Sequence, residues 1–293
     1  MAAMRKNNRL QSYLIITICY IAAALLGILV FHTSSFAPWL SLLIADLVAT
    51  IFIWVTSQLL RNASVYDPYW SVQPPIILAL TMLFLGSPDL GSILLVIVVA
   101  FWGARLSANW MITFPGLHHQ DWRYSLLEKK SKRFFPFVNL FGIQIMPTLI
   151  VYACLLPGFY YILRGGRVNA GTIIGLVLII GGAVLELAAD KQMHTFRQQR
   201  ADRTQLLRSG LWRASRHPNY LGEITVWWGV YLVMLSVYPD LWMLGIGALA
   251  NTCLFLFISI PMAEKHLATY KEGYQAYLQE TRMLFPFPKR RNR

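Results

Sequence analysis

Asn219, Glu223 and Trp227 recur at i, i+4 and i+8 in "SRHPNYLGEITVWWG", Ser215 to Gly229. On a helix that spacing puts an amide, a carboxylate and an indole on one face. Such a face suits a ligand with a hydroxylated or amide part and a planar part. Pro218 fits the first turn, where its missing N–H removes no bond, so "SRH" reads as an entry segment. The following backbone N–H groups attract an anion, and Arg216 beside them can offer phosphate a bidentate contact. The plainer alternative is polar glue between helices, with Trp227 and Trp228 in an aromatic position. Glu186 and Asp190 form a second stripe, four apart, with Arg197 seven residues further on the same face. They can bond each other or a polar ligand, or serve only as a helix-end ion pair with a snorkelling arginine. In the front half the acid–phenol cluster is "VYDPYW": Tyr66, Asp67 and Tyr69. A carboxylic acid bonded to a phenol can polarise a carbonyl oxygen and deliver a proton. Without that chemistry the segment is a Pro-containing loop with interfacial aromatics.

Other chemistries find no residues to carry them. The six histidines stand at 32, 118, 119, 194, 217 and 266, and His118–His119 is a neighbouring pair rather than a helical ligand pair. Cys19, Cys154 and Cys253 stand singly, so neither a disulfide framework nor a metal site is expected. No Gly-x-Gly-x-x-Gly follows a strand and no phosphate loop appears, so any nucleotide must be held by a helical scaffold.

That scaffold is a membrane one. The 293 residues are 56% hydrophobic and 13% charged, against about 25% charged in soluble domains. Apolar runs of the length a bilayer requires fall near 12–31, 38–60, 69–86, 90–112, 138–163, 168–189, 218–238 and 240–260. Pro74 and Pro75 make the third the weakest. The expected fold is all-α, a polytopic transmembrane bundle of about seven or eight spans. The net charge of +13 is concentrated before the first span, in 113–137, in 190–217 and after 261. This is topology rather than nucleic-acid binding: with eight spans those segments and both termini are cytoplasmic. The first apolar run is expected to stay as a helix rather than leave as a signal peptide. "PMAEKHLATYKEGYQAYLQETRMLFPFP" reads as one amphipathic cytoplasmic helix, ended by Pro286 and Pro288, and "KRRNR" as a tail drawn to anionic lipid. One membrane domain covering 1–293 is expected.

"SRHPNYLGE…W", with "GLW" upstream and "Y…GY…Y" near the C-terminus, resembles the steroid 5-alpha-reductase C-terminal domain superfamily, and more closely its largely bacterial branch. "WGARL" at 102–106, "DWRY" at 121–124 and Asp190 to Phe196 extend the resemblance over 65–287, strongest in 180–287, leaving 1–64 as N-terminal spans. The resemblance implies a membrane oxidoreductase that uses NADPH to reduce the carbon–carbon double bond of an enone lipid, in a bacterial inner membrane. It implies cofactor contacts at Arg105, Glu186, Asp190, Arg197, Asn219, Glu223 and Trp227. Arg216, His217, Tyr220, Glu264 and Tyr274 join them as matches to the motifs around the entry segment and the last segment. Glu186 replaces the family's Asn, and Ala263 or Glu264 stands where steroid reductases carry His.

The family polarises its substrate carbonyl with a Glu–Tyr pair from earlier helices. Its Tyr position falls near Trp102 here, and no Gln-Glu dipeptide occurs in the first two spans, so Tyr66, Asp67 and Tyr69 are the expected catalytic groups. The partners so implied are membrane lipids and a lipophilic small molecule. The Arg-His-Pro-x-Tyr pattern is also similar to isoprenylcysteine-carboxyl-methyltransferase-like enzymes, which would bring S-adenosylmethionine instead of NADPH. A non-enzymatic lipid-binding protein is the third reading.

Overall fold

The computed structural model describes residues 9–286. "KRRNR" and the basic residues Arg5 and Lys6 lie outside the described residues. Among those residues the architecture is helical throughout, and the one β-type contact is a bridge between Ser215 and Arg282. A bilayer interior offers no water to backbone N–H and C=O groups, so a chain this apolar closes its hydrogen bonds within helices. The helices are α1 (Arg9–Thr33), α2 (Pro38–Leu59), α3 (Tyr69–Phe84), α4 (Leu90–Thr113) and α5 (Trp122–Ser131), then α6 (Met146–Leu163), α7 (Ala170–Gln199) and α8 (Pro218–Leu235). After these come α9 (Ile246–Leu254), α10 (Ile260–Ala268) and α11 (Tyr274–Glu280).

Among the described residues, six helical runs are long and apolar enough to cross a membrane, so the chain is an integral membrane protein. They are Arg9–Thr33, Pro38–Leu59, Leu90–Thr113, Trp122–Leu163, Ala170–Gln199 and Pro239–Ala268. Helices α3 and α8 occupy the other two expected positions. Helix α3 runs through Pro74 and Pro75 instead of breaking at them, but has only 16 residues, short of the roughly 20 a span needs. Helix α8 has 18. Local chemistry sets the ends. Pro38 and Pro218 occupy first turns, and Asn169 with Thr172 forms a reciprocal cap at the start of α7.

The single C-terminal amphipathic helix is corrected. Helix α10 stops at Ala268, Gly273 turns the chain at φ 65° in the left-handed region, and α11 ends at Glu280. Beyond it the chain is extended, and the amides of Arg216 and His217 donate to the carbonyls of Arg282 and Met283. The segment is thus tied to the entry of α8 through backbone bonds. Its break has a local cause, because a glycine takes positive φ without the Cβ clash that other residues meet.

The chain divides into two compact units whose segments alternate in sequence. The first comprises the residues up to Ile77 with Leu106–Tyr152, and the second Leu78–Arg105 with the residues from Ala153 onward. In the first, Ile16 and Ala23 of α1, Ala49 and Ile53 of α2, and Val65, Tyr66 and Tyr69 form one buried cluster with Phe114 and Leu117. In the second, α7 and α8 approach so closely that a Cβ on Gly182 would lie 2.6 Å from the Gly222 carbonyl oxygen. Small residues at such crossings let helix backbones meet without intervening side chains.

Candidate functional site

The first unit's polar groups hang on one face of α2. Asp46, Thr50, Ile53 and Ser57 are buried at intervals of four, three and four residues, which is one helical stripe. Asp46 is only 4% exposed. Its Oδ1 accepts the Tyr69 hydroxyl at 3.0 Å and its Oδ2 accepts Gln73 Nε2 at 2.8 Å. Tyr69 and Gln73 are a turn apart on α3, so one helix supplies both donors. Thr50 lies 3.1 Å from Thr148 of α6, whose hydroxyl lies 2.8 Å from the Tyr66 hydroxyl. Tyr66 and Tyr69 tilt against each other at 5.5 Å between ring centres, with Tyr20 edge-on to Tyr69 at 5.7 Å.

Asp67 belongs to a different pair. Its carboxylate accepts the Tyr124 hydroxyl at 2.5 Å. Tyr124 is on α5, whose first turn is capped by Asp121, itself paired with the Arg123 guanidinium at 2.8 Å. Burial pushes the Asp67 carboxyl up to about 6, against the pull of Arg123. Tyr66, Asp67 and Tyr69 are therefore not one acid–phenol group. This corrects the reading of "VYDPYW": Asp46 pairs with Tyr69, Asp67 with Tyr124, and Tyr66 with a threonine. A loop bends on itself, so neighbours in sequence aim at different elements. Further along α2, Ser57 accepts Asn139 Nδ2 at 3.2 Å and Gln144 Nε2 at 3.1 Å from a π-helical stretch, leaving buried Gln144 Oε1 without a partner.

The second unit holds charge. Arg105 of α4 pairs with Glu186 and, at 3.0 Å through Nη1, with Asp190, both on α7. Asp190 thus takes its bonded cation from another helix, while Arg197 is exposed two turns further on. Glu223 is buried with one indole N–H on each oxygen: Trp102 at 2.9 Å and Trp227 at 2.7 Å. The two rings meet edge to face at 5.1 Å. Trp227, expected to present a flat ring to a ligand, instead clamps a carboxylate.

Among the described residues, five buried atoms of this unit have no hydrogen-bond partner: Asn219 Oδ1, Glu186 Oε1, Arg105 Nε, Arg105 Nη2, which is ion-paired with Glu186, and Asn251 Nδ2. A buried polar atom left unbonded costs about 1–3 kcal/mol. Two acceptors and a donor at expected site residues therefore suit a polar ligand.

At the start of α8 the residues bind one another. Arg216 Nε and His217 Nε2 both meet Glu264 Oε1, at 2.8 and 3.0 Å. The Arg216 Nη1 also donates to the carbonyls of Leu278 and Thr281. Tyr220 stacks on His217 at 5.2 Å, and the Tyr277 hydroxyl donates to the Trp212 carbonyl at 2.5 Å. Burial raises the phenols of Tyr274 and Tyr277, the latter to about 12. The Arg216 guanidinium is thus spent on the C-terminal segment; Arg197 and Arg200 are neighbouring cations, and Lys271 Nζ donates to the carbonyls of Arg203 and Gln205.

Sequence reasoning missed Asp46, Gln73, Thr50, Thr148 and the Asp67 partner Tyr124. One signal for Asp46 was visible, a lone carboxylate in the run 38–60, where an ionisable group demands a partner. The others are ordinary polar residues whose roles arise only from who meets whom.

The family described as "Protein of unknown function (DUF1295)" matches residues 53–281. The uncharacterized protein C594.04c of Schizosaccharomyces pombe is 28% identical over 207 residues, which are 61% of this chain and 60% of that relative. The match thus spans about 60% of the yeast protein's length. No solved structure matches the chain.

Proposed function

We propose, for a chain that belongs to the DUF1295 family, the function of an NADPH-dependent membrane reductase acting on the carbon–carbon double bond of an enone lipid, such as a steroid, sterol or isoprenoid-like compound. The observation that carries this reading is the buried Asp46–Tyr69 pair, a carboxylate holding a phenol by its proton. The resemblance to steroid 5-alpha-reductases calls for an acid–phenol pair from early helices, and this one comes from α2 and α3. Tyr69 would turn its proton to the substrate carbonyl, with Asp46 anchored by Gln73. A preorganised donor in a water-poor site stabilises developing oxyanion charge most effectively.

The residues of the second unit fit a dinucleotide's chemistry. Asn219 Oδ1 and Glu186 Oε1 are unused acceptors suited to carboxamide or ribose donors, and Arg105 Nε is an unused donor. Arg197 and Arg200 are neighbouring cations suited to phosphates. NADPH, when bound, would supply hydride to the β carbon of the enone. Glu223 would act by fixing Trp102 and Trp227, and Arg216, His217 and Glu264 by fastening the C-terminal segment. The distribution of the basic segments supports a reading with both termini on the cytoplasmic side, as expected in a bacterial inner membrane.

The test is thermal stabilisation of the purified protein by NADPH, NADH and S-adenosylmethionine, followed by NADPH oxidation with an enone lipid. NADPH is expected to raise Tm, and Asn219→Ala to abolish the rise. Stabilisation by S-adenosylmethionine alone would overturn the reductase in favour of methyl transfer.

A further inference from the structure

In the first unit α2 and the chain from Asn139 run antiparallel. Ser57 bonds Asn139 and Gln144, Thr50 meets Thr148, and the Trp39 carbonyl accepts the Tyr152 hydroxyl. The far end of α2 and the segment that leads into Asn139 therefore share one end of the unit. Exposed cations gather there: Arg61 just beyond α2, Lys129 and Lys130 in the last turn of α5, and Lys132 and Arg133 in the turn that follows. Among the described residues none of the five pairs with a carboxylate. The neighbouring acids are already engaged, since Glu128 accepts Gln120 Nε2 at 2.9 Å and Asp121 holds Arg123.

The backbone marks the same place. Among the described residues other than glycine, positive φ occurs at Arg61, 50°, and at Lys132, 48°. That region suits glycine and costs a residue with a Cβ, and such strain persists where the surroundings hold it, often at a binding site. Here the Lys132 amide donates to the Glu128 carbonyl, and Trp54 Nε1 of α2 donates to the Pro136 carbonyl at 3.1 Å. The elbow is thus fastened with its cations outward. Directly after them Phe134, Phe137 and Phe141, three and four residues apart, are 55%, 63% and 58% exposed. Arg133 lies over the Phe134 ring at 4.9 Å, and a Cβ on Gly142 would meet nothing within 4 Å. The run Trp122–Leu163 is long and apolar enough to cross a bilayer, and α2 is another such span. The cations consequently stand at headgroup level, with the phenylalanines on the acyl-chain side.

We propose that this elbow is a binding site for an anionic phospholipid. Arg61, Lys132 and Arg133 take the headgroup phosphate, Lys129 and Lys130 add to the local positive field, and an acyl chain lies along Phe134, Phe137 and Phe141. The charge is complementary to a phosphodiester, and the uncovered rings are what a soluble phosphate would leave unused.

The test places the purified full-length chain in phosphatidylcholine nanodiscs carrying a trace of spin-labelled phosphatidylglycerol or spin-labelled phosphatidylcholine. The motionally restricted fraction of each label gives the preference for the anionic lipid. The parent is expected to favour phosphatidylglycerol, and Lys132→Gly to cut that preference by about three- to fivefold. The same variant is expected to keep or raise Tm in phosphatidylcholine alone, because glycine suits the backbone there. Lys132→Arg is expected to keep the preference. No preference in the parent overturns the site. An equal fall in Lys191→Gln, which removes an exposed charge of the second unit, overturns it as an effect of net charge. Equal loss in Lys132→Gly and Lys132→Arg overturns it as an effect of packing. Displacement of the labelled lipid by free glycerol phosphate overturns it in favour of a soluble anion.

Discussion

Both units hold a buried carboxylate by neutral donors, Asp46 in the first and Glu223 in the second, but they differ in what else they bury. The first holds hydroxyls and phenols around a carboxylate, Asp46, whose nearest partners are neutral donors. The second pairs full charges: Arg105 with Glu186 and Asp190, and Arg216 with Glu264. Losing one neutral hydroxyl removes a single hydrogen bond. A buried ion pair has already lost its hydration, so removing one member strands the other. Loss of one member is therefore expected to cost less among the hydroxyls of the first unit than among the ion pairs of the second.

This contrast breaks most visibly at Arg105. Arg105→Met leaves Glu186 and Asp190 without their cation, and a loss of about 3–5 kcal/mol is expected, read as a fall in Tm of the purified protein. Glu223→Gln sharpens the point, because one indole N–H would face an amide nitrogen instead of an oxygen. A loss of about 1–3 kcal/mol is expected by the same measurement. In the first unit Tyr66→Phe removes one neutral hydrogen bond and is expected to cost about 1 kcal/mol. A loss there as large as that of Arg105→Met would erase the contrast between the units.

A further prediction concerns pH. Burial favours the protonated form of Asp67, raising its carboxyl from 3.8 to about 6 in the folded chain. Its contribution to stability is therefore present below about pH 4 and lost as pH rises through about 6. Asp67→Asn keeps an acceptor for Tyr124 and is expected to flatten the decline in Tm across that window.

Legibility in the sequence differed between the same regions. In the second unit the residues Glu186, Asp190, Asn219 and Glu223 stood out because charge and amide groups in apolar helices at four-residue spacing leave few readings. Their partners did not stand out. Trp102 and Arg105 lie on α4, far away in sequence, and Glu264 meets Arg216 across 48 residues. In the first unit proximity in sequence misled. Asp67 sits between two tyrosines and bonds neither, taking Tyr124 from 57 residues away. The C-terminal segment looked like one helix by its periodicity, yet Gly273 at φ 65° divides it.

By itself the sequence determined that this chain is helical and membrane-embedded, where most helices start, and which faces carry polar groups. Those are properties of short windows: apolar length against bilayer thickness, proline and capping residues at helix ends, and a period of 3.6. The tertiary structure alone decided the pairings, because a hydrogen bond or ion pair joins whichever side chains packing brings within about 3 Å. It set Asp46 on Tyr69, Asp67 on Tyr124, Arg105 on Glu186 and Asp190, and Arg216 on Glu264, and it left Asn219 and Glu186 each with a buried oxygen still to be bonded.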